Sequence, residues 1–398
     1  MKRVKIFIVL NIFVALLVLL FLKILMSRYG YEFSHGPSLI GENTTKPQLS
    51  NSKYNVWLIF VKVRLNFALK DKFNHLTTNL LNVSSVPLNF HVIVDSDSER
   101  MATDQFKYLS TNLKGNFQYN LYSIKNITDR MHDIQEVFTP HFSFKPGSYY
   151  SDVLFYVSLI LYKIAPVEQE LSVMLDCDLH FKDDILLLFK EFDRFKPTAL
   201  FGLAPELTPV YRHILHKYRL NHITTFGDYY KSKNMSNFTH PEGFQGYNSG
   251  VILLNLRKIR ESQEYSTLLS KSFVDPLVKK YMFKGHLGDQ DYYTLLGYEL
   301  PHLIQTINCG FNRQLCKWWK YGYSDVFDDY FKCEHRVVVL HGNCNTKFRI
   351  NLNRTFFLKI VNCIILLIMI KYWFLTVREK CNLRTCIFFR SLLMTAVL

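Results

Sequence analysis

Short apolar runs that end in acidic residues constrain the fold of this chain more than any other feature. The clearest run, residues 172–175, leads directly into Asp176 and Asp178, and a helical pattern follows from about residue 182. Side chains two apart on a strand point the same way, so both carboxylates should meet beyond the strand's carboxyl end. Close carboxylates repel each other, and Mg²⁺ or Mn²⁺ would relieve that repulsion. A plain solvated strand-to-helix turn is the competing interpretation.

The same alternation of apolar runs and helical spacing recurs through the body of the chain. The strand candidates are 54–63, 88–94, 116–124, 172–175, 199–204 and 251–256, and the helical segments are 65–81, one that begins near Ser98, and 149–161. This order predicts an α/β fold with a mainly parallel sheet. Ligands bind at the carboxyl ends of the strands in such sheets, and both Asp95 and Asp176 fall at such ends.

The basic residues of the chain are concentrated at its two ends. The formal net charge is +15 over 398 residues, which at first suggests a nucleic-acid partner. Residues 1–28 carry five basic side chains and no acid, and residues 351–398 carry seven against one acid, so only +4 remains on residues 29–350. Because the excess flanks hydrophobic segments, it favours a membrane over nucleic acid.

The amino terminus has the pattern of a signal anchor. Residues 6–26 are almost entirely apolar and approach the length of about 20 residues that spans a bilayer. No small-residue cleavage site is evident. Residues 1–5 are basic and are predicted to stay cytoplasmic, which gives a single-pass type II topology. Residues 27–52 are predicted to be a flexible stem, and residues 53–350 a lumenal catalytic domain.

The carboxyl-terminal segment 351–398 differs in character from the body. It combines an apolar stretch, 356–375, with several basic residues. A second membrane span, an interfacial helix and a gene-model extension are three interpretations that stay open.

Three later motifs could each serve a ligand or only the backbone. Gly246 to Gly250 precedes an apolar strand, which suits either a close approach by another part of the chain or by a ligand, or a tight turn. Residues 285–291 open a predicted helix at 292–296, where Asp289 and Gln290 could contact a ligand or cap the helix. His341 ends an apolar strand, as a third metal ligand or a structural histidine would.

The cysteines predict disulfides in a lumenal segment. Cys309, Cys316, Cys333 and Cys344 allow three pairings, and the spacing does not choose among them. A zinc site is disfavoured because no Cys-x₂-Cys pair occurs. Cys177 lies between the two aspartates and should point to the opposite strand face as a buried free thiol.

In order along the chain, these motifs resemble the retaining glycosyltransferases of the glycogenin/galactosyltransferase group, which have a GT-A fold. Longer strings resemble the xyloside xylosyltransferases in particular, over residues 56–346. The strings are Tyr149-Tyr150-Ser151-Asp152, Pro209-Val210-Tyr211-Arg212-His213, Gly285-His286-Leu287-Gly288-Asp289-Gln290-Asp291, Asn312-Arg313-Gln314-Leu315-Cys316 and His341-Gly342-Asn343-Cys344-Asn345. Residues 351–398 depart from this family's pattern.

The resemblance implies an activity and its partners. Such an enzyme moves xylose from UDP-xylose, in α1,3 linkage, onto the xylose of a xylosyl-glucose that is O-linked to EGF-like repeats such as those of Notch. It uses Mn²⁺, with Mg²⁺ possible as a substitute. The expected location is the endoplasmic reticulum membrane, with the Golgi as the alternative, and no nucleic-acid partner is expected. The oligomeric state stays open.

The resemblance also implies roles for individual residues. The metal ligands would be Asp176, Asp178 and His341. The catalytic positions would be Gln290, close to the anomeric carbon, and Asp289. The donor contacts would come from Phe60, Val61, Asp176, Cys177, Asn248, Ser249 and Gln290, and the acceptor contacts from Trp319 and Asn343. A glutamine amide is a poor nucleophile, which favours attack from the same face as the departing UDP.

Other classes of function fit the sequence less well. A non-catalytic GT-A module that binds sugar nucleotides or glycoproteins is the main alternative, but such a module would be expected to lack part of the metal set or Gln290. A glycosidase is disfavoured because its two carboxylates stand farther apart than Asp176 and Asp178 can. A membrane protein built around its hydrophobic ends would leave the α/β pattern unexplained.

Overall fold

The computed structural model describes residues 53–113, 116–143, 153–229 and 237–348. The predicted anchor 6–26, the stem 27–52, the Tyr149–Asp152 motif and the tail 351–398 lie outside these residues. Within the described ranges, no helix has the length and apolar character needed to cross a bilayer.

The described part of the chain contains ten strands and thirteen α-helices. The strands are β1 Asn55–Phe60, β2 Leu88–Val94, β3 Phe117–Ser123, β4 Leu171–Leu175, β5 Leu179–Phe181, β6 Phe201–Pro205, β7 Tyr247–Asn255, β8 Ile304–Thr306, β9 Arg313–Gln314 and β10 Val339–His341. The helices are α1 Phe67–Val83, α2 Ser96–Asn112, α3 Ile124–Thr128, α4 His132–Phe142, α5 Val157–Ile164, α6 Leu186–Phe189, α7 Val210–Ile214, α8 His216–Asn221, α9 Leu256–Glu261, α10 Gln263–Leu268, α11 Lys271–Lys280, α12 Asp289–Glu299 and α13 Phe327–Phe331. Short 3-10 turns occupy Val63–Leu65, Val153–Tyr156, Lys190–Arg194, Pro301–Leu303, Cys309–Phe311 and Trp318–Tyr321.

Seven of the strands form one central sheet in the order β3-β2-β1-β4-β7-β6-β8. All neighbours in it are parallel except β7, which runs antiparallel to both β4 and β6. A second, small sheet has the order β5-β10-β9. The protein is therefore a mixed α/β structure with a mainly parallel central sheet, as the alternation of apolar runs and helical segments predicts.

Both faces of the central sheet are covered by apolar side chains. Along β4, Val173 and Leu175 belong to one hydrophobic cluster, and Met174 belongs to the other. On β1, Trp57 faces the same cluster as Met174. Strands buried on both faces have continuous apolar sequences without polar alternation, which is why 172–175 can be recognised as a buried strand.

The structure corrects three boundaries predicted from the sequence. Asn248, Ser249 and Gly250 belong to β7 and do not form a turn before it, because β6 pairs with β7 from Tyr247 onward. The helix expected from about residue 182 begins only at Leu186, after β5, and α6 has four residues before a 3-10 turn follows. In the helix expected over 149–161, residues 153–156 form a 3-10 turn and the α-helix starts only at Val157.

The described residues of the polar segment 222–245 pack partly into the interior of the domain. Its described residues contain an isolated bridge between Phe226 and Phe244. Thr225, Phe226 and Asp228 are buried, so tertiary packing holds part of this segment in place.

Two disulfides form among the four clustered cysteines, as expected. Cys309 pairs with Cys333, and Cys316 pairs with Cys344. Cys177 is a buried free cysteine, also as expected. The structure thus selects one of the three pairings that the sequence allows.

Candidate active site

The two aspartates leave β4 as the strand ends, at the middle of the central sheet. The backbone N–H of Asp176 donates to the carbonyl of Gly250 at 2.9 Å, which fastens this end of β4 to β7. Cys177 points away from the aspartate carboxylates, and its Sγ lies 3.4 Å from the carbonyl of Ile59. The alternation of side chains predicted from the sequence is therefore present.

His341 joins the two aspartates although it lies far away in the sequence. Its Nε2 is 3.5 Å from Oδ2 of Asp176 and 3.3 Å from Oδ1 of Asp178. The candidate ligand atoms of the three residues all lie within 4.8 Å of one another. The structure thus brings together the three side chains that the sequence nominated as metal ligands.

The second sheet is what carries His341 to this position. β5 begins directly after Asp178 and pairs antiparallel with β10, so that His341 stands opposite Leu179. The N–H of Gly342 donates to the carbonyl of Asp178 at 2.7 Å and closes the pairing at the site. Three-residue strands are weak by themselves, and here they serve to register two distant pieces of chain.

The charges of the cluster partly balance one another. Desolvation and the charge of Asp178 raise the pKa of Asp176 to about 6. Desolvation would also raise the pKa of Asp178, but the hydrogen bond and charge of His341, together with the charge of Lys72, bring it well below its usual value. Burial would lower the pKa of His341, yet Asp178 and Asp176 raise it overall. The site therefore attracts positive charge.

Lys72 is a member of the site that sequence analysis missed. It lies on α1, and its Nζ is 3.3 Å from Oδ2 of Asp178 and 3.0 Å from Oδ1 of Asn345. A lysine on the polar side of a helix carries no signal that would distinguish it from the other surface lysines. Only the packing of α1 against β5 directs this lysine to Asp178.

The start of β7 and the start of α12 form the polar wall beside the cluster. The N–H of Ser249 donates to Oε1 of Gln290 at 3.4 Å, and Ser249 Oγ donates to Oδ1 of Asp289 at 2.9 Å. Ser158 Oγ donates to the other carboxylate oxygen of Asp289 at 2.5 Å. Because β7 is antiparallel to β4, its first residues lie at the same edge as the last residues of β4.

The two acids of α12 have internal partners. Asp291 accepts from Tyr211 Oη at 3.0 Å and from the N–H of Leu287 at 2.7 Å, so it ties the preceding loop to the first turn of the helix. Burial raises the pKa of Asp289 and of Asp291 to about 7 in each case. Asp289 connects β7 to α5, and the N-cap of α12 is Gly288, which makes no side-chain cap hydrogen bond.

Glu206 is the second residue that sequence analysis missed. It directly follows β6, and its side chain is buried among polar groups of the site. Oε2 accepts from Asn248 Nδ2 at 2.9 Å and from Gln290 Nε2 at 3.3 Å. An acid directly after a buried strand is the same signal that singled out Asp95 and Asp176, and it would have identified Glu206 as well.

Phe60 and Val61, the other residues predicted to contact the sugar-nucleotide donor, lie at the end of β1. Phe60 is fully buried, and its ring stacks on Phe73 at a centroid distance of 4.1 Å, so a contact with a nucleotide would have to come from its backbone. Val61 is 8% exposed. Asp95 does not join this site, because its carboxylate caps α2 through the N–H of Ser98 and also accepts from the N–H of Lys62.

The two predicted acceptor residues lie on the carboxyl-terminal part of the domain. Trp319 is half-buried and stands beside His213 and Tyr323, with ring centroids 5.2 and 5.8 Å away. Oδ1 of Asn343 accepts from the N–H groups of Leu315 and Cys316 at 3.0 and 2.9 Å, which gives this side chain a structural role.

The donor set of the cluster fits a divalent cation. Two carboxylates and one imidazole suit Mn²⁺ or Mg²⁺ better than a soft thiophilic metal. The three ligand atoms are close enough to reach one ion. The basic groups Lys72 and His341 show that the carboxylates already attract positive charge.

Comparison with known proteins identifies close relatives. No protein-family model matches the sequence. Xyloside xylosyltransferase 1 of mouse is 39% identical over 300 residues, which cover 74% of each chain, and the human protein is 40% identical over the same coverage. The crystal structure of the mouse protein in its apo form has a TM-score of 0.68 and 38% identity, and the match covers 74% of this chain and 99% of that structure. Human xylosyl- and glucuronyltransferase LARGE1 is 27% identical over 270 residues, which make up 30% of that protein.

Proposed function

The chain belongs to the xyloside xylosyltransferase family and is a xylosyltransferase with a GT-A-type fold, and from this premise we propose its specific reaction. It transfers xylose from UDP-xylose, with retention and in α1,3 linkage, to the xylose of a xylosyl-glucose disaccharide. The disaccharide is O-linked to EGF-like repeats, such as those of Notch. The cation is Mn²⁺, which Mg²⁺ can replace.

One observation carries this proposal above the others. The candidate ligand atoms of Asp176, Asp178 and His341 lie within 4.8 Å of one another, beside the polar wall formed by Ser249 and Gln290. A sugar nucleotide needs a cation for its diphosphate next to polar groups for its sugar, and this edge of the sheet offers both. The acidic pair by itself would be only a cation site.

The donor is proposed to extend from the end of β1 across the cluster. The backbone of Phe60 and Val61 would contact the uridine, and Asp176 and Cys177 would lie along the donor. Asn248 and Ser249 would hold the sugar. A bound divalent cation supplies a Lewis acid that stabilises the negative charge on the leaving UDP.

Retention is proposed to occur by departure and attack on the same face of the sugar. The carboxylates near Gln290 are committed to other partners: Asp289 to Ser158 and Ser249, and Glu206 to Asn248 and Gln290. A nucleophilic carboxylate would have to lose these hydrogen bonds. Gln290 therefore serves to hold the donor, and the acceptor hydroxyl passes its proton to the departing phosphate.

The acceptor is proposed to approach from the side of Trp319 and Asn343. Trp319 lies in a group of aromatic rings with His213 and Tyr323, and such rings suit the apolar faces of sugars. Because the side-chain oxygen of Asn343 already accepts two backbone N–H groups, this residue would face the acceptor with the rest of its amide.

The site is proposed to face the lumen of the endoplasmic reticulum. The two disulfides support an oxidising compartment. The apolar residues 6–26 preceded by basic residues favour a type II anchor. Extraction from microsomes at high pH and protection from added protease test this placement, and a protein that alkali releases would contradict the anchor.

Substitution of Asp178 by Asn tests the metal role. The variant removes one charge from the cluster while it keeps the shape of the side chain, and we expect transfer to fall by at least about 100-fold. The assay measures UDP release by the purified full-length chain with UDP-xylose, a xylosyl-glucose acceptor, and Mn²⁺ or EDTA. Full activity in Asp178→Asn would show that the carboxylate holds no essential metal.

A donor and acceptor screen tests the specificity. We expect product only with UDP-xylose and an EGF-like repeat that carries xylosyl-glucose. Transfer from UDP-glucose would refute the donor assignment, and transfer onto an EGF-like repeat that carries glucose alone would refute the acceptor assignment.

A further inference from the structure

Glu206 is a buried carboxylate that hydrogen bonds connect both to the polar wall beside Gln290 and, through other side chains, to His341. It is 3% exposed, and in the described part of the chain no lysine or arginine forms an ion pair with it. A carboxylate buried without a cation is costly, and it persists only where several donors hold it. We propose that Glu206 is a positioning residue that fixes the orientation of both Gln290 and His341. This inference rests on the proposed metal site and donor pocket.

The orientation of two amides follows from the chemistry of Glu206. Oε2 has two amide neighbours, Nδ2 of Asn248 at 2.9 Å and Nε2 of Gln290 at 3.3 Å, and therefore accepts from both. Oε1 faces the hydroxyl of Thr208 at 2.7 Å, which can either donate or accept. Any proton on Glu206 would thus reside on Oε1, and Oε2 accepts whether the carboxyl group is ionised or neutral.

Gln290 is held with its carbonyl oxygen turned away from Glu206. Because Nε2 donates to Glu206, Oε1 of Gln290 faces the N–H of Ser249 at 3.4 Å. Both ends of this amide are determined by protein groups. The side chain proposed to lie beside the anomeric carbon is therefore fixed before the donor binds.

The same constraint passes through two asparagines to the metal ligand. Oδ1 of Asn248 accepts from the N–H of Gly250 at 3.1 Å and from Nδ2 of Asn312 at 2.8 Å. Asn312 must then present its Oδ1 to Nδ1 of His341, at 2.9 Å. Turning Asn312 around would place its oxygen against the oxygen of Asn248. In each hydrogen bond of this series, the donor lies on the side of His341 and the acceptor on the side of Glu206.

This series of hydrogen bonds determines which nitrogen of His341 is available to a metal. Nδ1 donates its hydrogen to Asn312, so Nε2, which faces Asp176 and Asp178, is the nitrogen left for a metal. Ligands of this kind depend on the partner of the other ring nitrogen, and loss of that partner commonly weakens metal affinity about 10–100-fold. Glu206 is thus connected to the proposed metal ligand by hydrogen bonds through Asn248 and Asn312.

The first test compares two replacements of Glu206 in the full-length chain. Glu206→Gln keeps an acceptor at the Oε2 position, and its amide can donate to Thr208, so Mn²⁺ affinity should stay within about threefold of wild type. Glu206→Leu removes the acceptor at similar size, and the Mn²⁺ dissociation constant should rise about 10–100-fold in a calorimetric titration. Glu191→Leu, which replaces a buried carboxylate on another turn, should leave Mn²⁺ affinity unchanged.

The second test uses an isosteric variant, in case Glu206→Leu does not fold. Asn312→Asp places two acceptors opposite each other, which should turn Asn248 around and raise the KM for UDP-xylose about tenfold at saturating Mn²⁺. Glu206→Gln can then donate to the turned Asn248. The double variant should therefore recover part of the loss, because Asn248 connects residues 206 and 312.

The outcomes separate this inference from the proposed function. A wild-type chain that binds no Mn²⁺ would overturn both. Wild-type binding together with equal binding by a folded Glu206→Leu variant would overturn the positioning role alone, and so would strictly additive effects of Asn312→Asp and Glu206→Gln on KM.

Discussion

At the scale of single residues, the cluster of Asp176, Asp178 and His341 depends on the absence of a side chain at Gly250. A Cβ built there would lie 2.3 Å from Cε1 and 2.7 Å from Nδ1 of His341. Real Cβ atoms do not approach other atoms so closely, and the imidazole is held in place by the hydrogen bond between its Nδ1 and Asn312. The sequence left a close approach and a tight turn open at this glycine, and the structure shows that His341 approaches it.

Gly250→Ala should therefore displace His341 without unfolding the domain. We expect Mn²⁺ affinity to fall by at least about tenfold, because one of three ligands moves, while the variant remains folded. The measurement is a Mn²⁺ titration together with a thermal melt. Gly322→Ala is the matched control, since nothing lies within 4 Å of its added Cβ. Unchanged Mn²⁺ affinity in Gly250→Ala would mean that His341 is not a ligand.

At the scale of elements, β10 and the turn after it are held to the rest of the domain by a disulfide and a side-chain hydrogen bond. β10 has only three residues, and Cys344 and Asn345 in the following turn have positive φ values of 55° each. Cys344 is bonded to Cys316, and Asn345 contacts Lys72 on α1. These links hold His341 and its turn against the rest of the domain.

Replacing Cys316 and Cys344 together by Ser tests this fastening. The bond spans 28 residues, and its loss should cost roughly 3–4 kcal/mol of unfolding free energy by the chain-entropy estimate. The double variant should also bind Mn²⁺ more weakly, because the turn after His341 is loosened. Denaturant unfolding and Mn²⁺ titration measure the two effects. A loss of stability with unaltered Mn²⁺ affinity would show that β10 positions His341 without the disulfide.

At the scale of the whole molecule, one face of the central sheet contains a buried polar group around His91. The imidazole contacts Tyr122 Oη at 2.9 Å and Gln169 Nε2 at 2.8 Å, and Gln169 in turn accepts from Trp57 Nε1. Burial lowers the pKa of His91 to about 3. This histidine is therefore neutral in the folded protein under ordinary conditions.

His91 should make the domain less stable as the pH falls below about 6.5. The unfolded chain then takes up a proton that the folded chain does not bind until about pH 3, so the free energy of unfolding declines with falling pH. Between pH 6.5 and 5 the contribution is about 1.5 kcal/mol. Denaturant unfolding of wild type and His91→Gln over this range should show curves that converge at low pH. Parallel curves would mean that His91 is protonated in the folded state.

Much of the fold was accessible from local sequence. β2 was predicted with its observed bounds, and α1 and β3 were predicted to within two residues, because apolar runs and helical spacing are local properties. The boundaries were wrong where pairing partners decide the structure: β7 begins at Tyr247 because β6 pairs with it there. β5 is too short to carry a periodic signal, and only its pairing with β10 makes it a strand.

The sequence by itself determined the acidic pair after β4, its direction on one strand face, the late histidine and the resemblance to one family. These depend on residue type and on the two-residue period of a strand. Only the tertiary structure decided that β7 runs antiparallel, that Cys316 pairs with Cys344, and that Lys72 and Glu206 belong to the site. Those features arise from contacts between segments up to 273 residues apart, about which local sequence carries no information.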